Sequence, residues 1–125
     1  MIRKDGNRYG AIYELSGREI YIAWRTQKQA FRNGERNLTE ATRKGVICWA
    51  LDCDTVRQMK QRGISVIGIS ELETDKLYIT TVDHYMTSPI RDYTDQGGAR
   101  QWYLPMKDFT LRYVKIKRPP SKRRR

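Results

Sequence analysis

ISVIGISELETDKLYITTV, residues 64–82, is the most legible stretch of this chain. Ile64 to Ile69 and Leu77 to Val82 are short apolar runs rich in β-branched and aromatic side chains, and both read as strands. The polar ELETDK between them is a slightly long hairpin loop. A sheet is therefore expected, and the neighbouring segments extend it. Upstream, NRYGAIYELSGREIYIAWRT forms two β-rich runs around Ser16-Gly17, with Ile20, Ile22 and Trp24 alternating against Glu19, Tyr21 and Ala23. That pattern predicts a hairpin with strands at about 8–15 and 18–25.

Between these strand pairs, Val46 to Leu51 is a continuous apolar run whose periodicity does not separate helix from strand. Gly45 before it and Asp52 after it favour a buried strand. Asp52 or Asp54 can then cap a helix running to about Gln61, with Val56 and Met59 facing the core and Gly63 ending it. Short helices are also expected at 27–32, stopped by Asn33-Gly34, and at 38–44, where Asn37 and Glu40 resemble a capping box. Downstream, TSPIRDYTDQGGAR reads as a long loop, and Gln101 to Val114 as a strand broken at Pro105. KIKRPPSKRRR reads as a basic tail without the apolar residues to bury itself. The expected fold is a single α+β domain over 1–114. It has a mostly antiparallel sheet of about five to six strands, two or three short helices, and a disordered basic tail over 115–125.

At 125 residues, 38% of them apolar, the chain is one domain in size; folding should bury roughly two-thirds of its unfolded surface. Its net charge of +11 points to polyanionic partners. The charge is uneven. Residues 1–46 hold ten Lys/Arg and five Asp/Glu, residues 47–95 five and eight, and residues 96–125 ten and one. A mildly acidic middle between two basic ends suits a basic face.

Within the first basic region, Arg25, Lys28, Arg32 and Arg36 recur at helical spacing until Asn33-Gly34 interrupts them. Arg43 and Lys44 fall at the end of the next short helix, where cations also favour the helix dipole. These six are expected phosphate contacts. In the second region, Lys115, Lys117, Arg118, Lys122, Arg123, Arg124 and Arg125 are seven charges in eleven residues with no acid, an arm giving affinity through counterion release. Arg100 and Gln101, beside Gly97-Gly98, carry side chains able to pair with base edges. Trp102 and Tyr103 read either as the start of a core strand or as platforms for unpaired bases.

Catalytic signals are sparse. Asp52, Glu71 and Lys76 are the residues a Mg²⁺-dependent nuclease would use, but Glu71-Leu72-Glu73 runs into Thr74, not into the carboxylate-x-Lys spacing of restriction-type enzymes. His84 stands alone, and Cys48 and Cys53 provide neither a disulfide framework nor a zinc set. Nucleotide-binding, hydrolase-elbow, zinc-finger and basic-zipper motifs are absent. The N-terminal residues lack a signal-peptide core and no apolar run is long enough to span a bilayer. The chain is thus expected to be a cytoplasmic, non-enzymatic nucleic-acid-binding protein without cofactor or membrane partner. DNA is favoured over RNA, and a bacterial, plasmid or phage regulator of transcription or DNA-transfer factor would fit. A homodimer is expected from exposed strand edges. The alternatives are the nuclease and a protein-interaction module for an acidic partner.

Overall fold

Leu15 pairs with Arg18 across a two-residue turn, and Ser16 (φ 53°) and Gly17 (φ 78°) both lie at positive φ. This is the mirror-image turn geometry whose twist matches that of the flanking strands. It joins β2 (Gly10–Leu15) to β3 (Arg18–Arg25). The computed structural model describes residues 2–6, 9–30, 47–93 and 98–120.

Within them β1 (Ile2–Gly6), β2, β3, β5 (Val66–Glu71), β6 (Lys76–Thr81) and β9 (Thr110–Tyr113) form a six-stranded sheet in the order β1-β2-β3-β5-β6-β9. Neighbours are antiparallel except β3 and β5, which run parallel from Ile20↔Val66 to Arg25↔Glu71. A parallel pair needs a crossover, and this one carries β4 (Cys48–Asp52) and α1 (Cys53–Arg62). The strand β4 belongs to a second sheet, ordered β4-β8-β7, with β7 (Ile90–Tyr93) and β8 (Ala99–Pro105).

Helix α1 begins and ends where its sequence dictates. The Asp52 carboxylate accepts from the Thr55 amide at 3.3 Å, satisfying an otherwise orphan donor. At the other end Gly63 adopts φ 87°. Its N–H reaches the Lys60 carbonyl while Ile64 N–H reaches Met59, the paired bonds of a Schellman closure. Cys53, Val56 and Met59 point inward.

The main core lies between the large sheet and the layer made by the small sheet and helices. Ile12, Ala23, Ile67, Ile69 and Tyr78 meet Trp49, Leu51, Trp102 and Leu104, with Val56 and Tyr85 among them. The Tyr85 hydroxyl donates to the Trp49 carbonyl at 2.9 Å, so its polar end is satisfied in the interior.

The α+β class is as expected; among the described residues the strands number nine in two sheets, where a sheet of about five to six was anticipated. The long loop expected after Tyr85 instead contains β7, which starts directly after Pro89. Proline has no N–H to give a ladder and is tolerated at a strand's first positions. Ser88 fixes this entry, its hydroxyl accepting from Ile90 N–H and donating to the Tyr103 carbonyl. The five-residue α2 (Val82–Met86), capped by the Thr81 hydroxyl on the His84 amide, and the edge strand β1 were also unexpected.

Part of the stretch expected as a basic tail lies against the sheet. Residues 114–120 form a strap across the outer face of the large sheet, the face turned away from the main core. Ile116 is buried there with Ala11, Tyr13, Ile22, Trp24 and Leu77, and Pro119 is buried as well. The alternation in Lys115-Ile116-Lys117 puts one apolar side chain inward between two outward charges, and that single residue anchors the strap. Residues 121–125 lie outside the described ones.

Candidate nucleic-acid interface

The strap's backbone is held by polar as well as apolar contacts. Trp24 Nε1 donates to the Ile116 carbonyl at 3.1 Å and the Tyr13 hydroxyl to the Lys117 carbonyl at 3.3 Å. Lys115 Nζ donates to the carbonyls of Leu72 (3.2 Å) and Thr74 (2.9 Å), tying the strap to the β5–β6 loop. The Arg118 guanidinium lies 5.7 Å from the ring centre of Tyr9, a residue 62% exposed.

Arg112 joins this face from the edge, because its partner across β9 and β6 is Leu77, which points outward. Arg112, Lys115 and Lys117 make no ion pair among the described residues, whereas Lys4, Arg57, Lys60, Arg62 and Arg100 are each paired with a carboxylate. From Phe109 to the end the chain carries eight Lys/Arg and no acid. Arg112 and Lys117, without an ion pair among the described residues, lie on one face with the exposed ring of Tyr9, and cations beside aromatic rings are the arrangement that holds a phosphate backbone.

The other expected contacts fare differently. Arg25 ends β3 and spends N–H groups on the carbonyls of Trp24 (2.9 Å) and Tyr9 (3.2 Å), so it secures the entry to β2. Lys28 is exposed on the helical residues 27–30. Arg32, Arg36, Arg43, Lys44, Lys122, Arg123, Arg124 and Arg125 lie outside the described residues, as does the expected helix at 38–44. Arg100 is committed to Asp92 across the β7–β8 hairpin, and this bond holds its proton more firmly than usual. Gln101 stands between Asp52 and Asp92 in the small sheet, half-buried. Trp102 and Tyr103 are buried; they are core, and the base-stacking reading of them is withdrawn.

The three nuclease candidates have separate tasks. Asp52 caps α1 in the small sheet. Glu71, only 2% exposed, accepts from Thr74 Oγ1 at 2.7 Å and Gln27 Nε2 at 3.2 Å. Lys76 opens β6 opposite Tyr113. Glu73 is likewise engaged, accepting the Gln27 amide at 3.0 Å. Among the described residues no three His, Cys, Asp or Glu side chains converge as a metal-ligating group.

His84 Nδ1 sits 3.2 Å from Thr80 Oγ1, a local structural contact. Both cysteines are buried. Burial, with Asp108 nearby, pushes the Cys48 thiol up to about 11, opposite to the lowered value a reactive thiolate needs. No described helix is long and apolar enough to cross a membrane.

Comparison of the chain with protein-family models, curated proteins and solved structures found no match.

Proposed function

We propose that this chain is a non-enzymatic nucleic-acid-binding protein whose outer-face strap takes the phosphate backbone, with duplex DNA as its expected ligand. The observation that carries the reading is the pinned strap. Its backbone is bonded to Trp24 and Tyr13, which presents Lys117 and Arg118 from a fixed line beside Arg112 and Tyr9. Ordering this backbone during folding lowers the entropy left to lose on binding. The net charge of +11 adds long-range attraction. Employment in transcriptional regulation or DNA transfer fits such a module. A second copy is expected to pair at the β9 edge, where Tyr113 is 68% exposed.

The test is fluorescence anisotropy with random duplex DNA, single-stranded DNA and duplex RNA at two salt concentrations, with and without Mg²⁺. Binding to duplex DNA that weakens steeply with salt and leaves the DNA intact supports the reading. No binding of any nucleic acid at low salt overturns it, and Mg²⁺-dependent shortening of the DNA replaces it with the nuclease.

A further inference from the structure

Two arginines from different elements stack on one indole. The guanidinium carbon of Arg91, on β7, lies 4.6 Å from the ring centre of Trp102, and that of Arg57, on α1, lies 5.1 Å from the same ring. The two carbons are therefore no more than about 10 Å apart.

Like charges gathered so closely repel, and among the described residues one carboxylate, Asp54 beside Arg57, pairs with them. Arg91 donates to the Met86 carbonyl at 2.7 Å and meets no carboxylate among the described residues. Arg57 faces Asp54 at 3.4 Å, a one-point contact to a carboxylate that is itself 78% exposed. The indole attracts both cations through its π face. Trp102 is rigidly placed, 4% exposed, between β4 and β7.

We propose that Arg57 and Arg91, clamped on Trp102, form a second phosphodiester-binding site, separate from the strap. The guanidinium N–H groups other than Arg91 Nη2 and Arg57 Nη1, which bond Met86 and Asp54, remain to make the N–H···O bonds that suit a phosphate. Each strand of a duplex carries a phosphate about every 3.4 Å of axis, so both arginines reach one backbone. Trp102 belongs to the main core and the strap to the opposite side of the large sheet. A nucleic acid on the strap thus does not extend directly to this pair, and one molecule can hold two backbone segments. The inference rests on the nucleic-acid reading above.

The experiment compares the wild type, the double variant Arg57→Gln/Arg91→Gln and the strap variant Arg112→Gln/Lys117→Gln by anisotropy with a labelled random duplex over a salt series. The expected loss for Arg57→Gln/Arg91→Gln is roughly tenfold in affinity at low salt, with the log–log salt slope shallower by about two. Unchanged affinity and slope in that variant, while the strap variant weakens, overturn this site and leave the strap reading standing. The reverse pattern keeps this site and removes the strap. A wild type that binds no duplex at low salt overturns both. Should the glutamine variant unfold, Arg57→Lys/Arg91→Lys keeps the charges and loses the planar fork. It is expected to preserve the slope and weaken binding several-fold, and unchanged affinity there overturns the site.

Discussion

Trp24 and Ile116, 92 positions apart in sequence, are joined by a buried hydrogen bond from the indole Nε1 to the backbone carbonyl, 3.1 Å long. The bond makes the basic C-terminal region part of the sheet's cover. Ile116→Ala is expected to cost about 2 kcal/mol, the low end for a buried Ile-to-Ala change, because a single strap covers the site. Trp24→Phe, which leaves the carbonyl unpaired, should cost a further ~1 kcal/mol or more. Urea unfolding checks both: the midpoint should fall while the slope stays constant. An unchanged midpoint for Ile116→Ala would show the strap detached.

Tyr21 lies over Gly10. A Cβ added at Gly10 would sit 1.8 Å from the Tyr21 hydroxyl oxygen and 2.5 Å from the ring carbon that bears it, far inside van der Waals contact. Gly10→Ala should therefore destabilise by about 1–3 kcal/mol through overpacking. Tyr21→Leu in the same background should recover part of the loss. Thermal or urea unfolding of the two single variants and the double closes the cycle, and simple additivity would contradict the contact.

Glu71 is a buried acceptor for Gln27 and Thr74. Its loss in Glu71→Ala leaves those donors unmatched, at an expected cost of about 1–3 kcal/mol, and Glu71→Gln should cost less. Neither variant should change DNA integrity, because duplex incubated with wild type and Mg²⁺ is expected to remain full length. Cleavage by wild type that disappears in Glu71→Ala would transfer the function to the nuclease reading.

Burial also sets an alkaline limit. Desolvation raises the Cys48 thiol from its ordinary 9.0 to about 11 and raises the buried Tyr85 hydroxyl well above its usual value. The folded chain keeps protons that the unfolded chain gives up, so this stabilisation is complete below about pH 9 and is lost as pH climbs toward 11. Thermal midpoints should drop between pH 9 and pH 11, less steeply in Cys48→Ala once its own cavity cost is subtracted. Native Cys48 should resist thiol reagents at pH 8 and react on denaturation. Rapid labelling of the native protein would contradict its placement.

Local rules made some elements readable in advance. The hairpin at Ser16-Gly17, the capped helix from Cys53 and its stop at Gly63, the strand over 48–52 and the 66–81 hairpin each carry their turn or cap residues in the sequence. The small sheet's outer strand was hidden because β7 is four residues long, next to a proline, and owes its place to pairing with β8. The strap was hidden for a related reason. One isoleucine among lysines looks solvated until Trp24 and Leu77, distant in sequence, supply the surface it covers. In the interface, composition pointed to the basic ends of the chain. It could not show that Arg100 is engaged by Asp92 and Arg25 by backbone carbonyls, or that Trp102 is a buried platform for two arginines.

The most direct test titrates wild type and the strap variant Arg112→Gln/Lys117→Gln against one labelled duplex across a salt series. Here the prediction is weaker binding by the variant at every salt concentration, with a slope shallower by about one unit per contacting side chain removed and unfolding midpoints unchanged. Identical affinity and slope in two equally folded proteins would contradict the assignment of the strap as the nucleic-acid face.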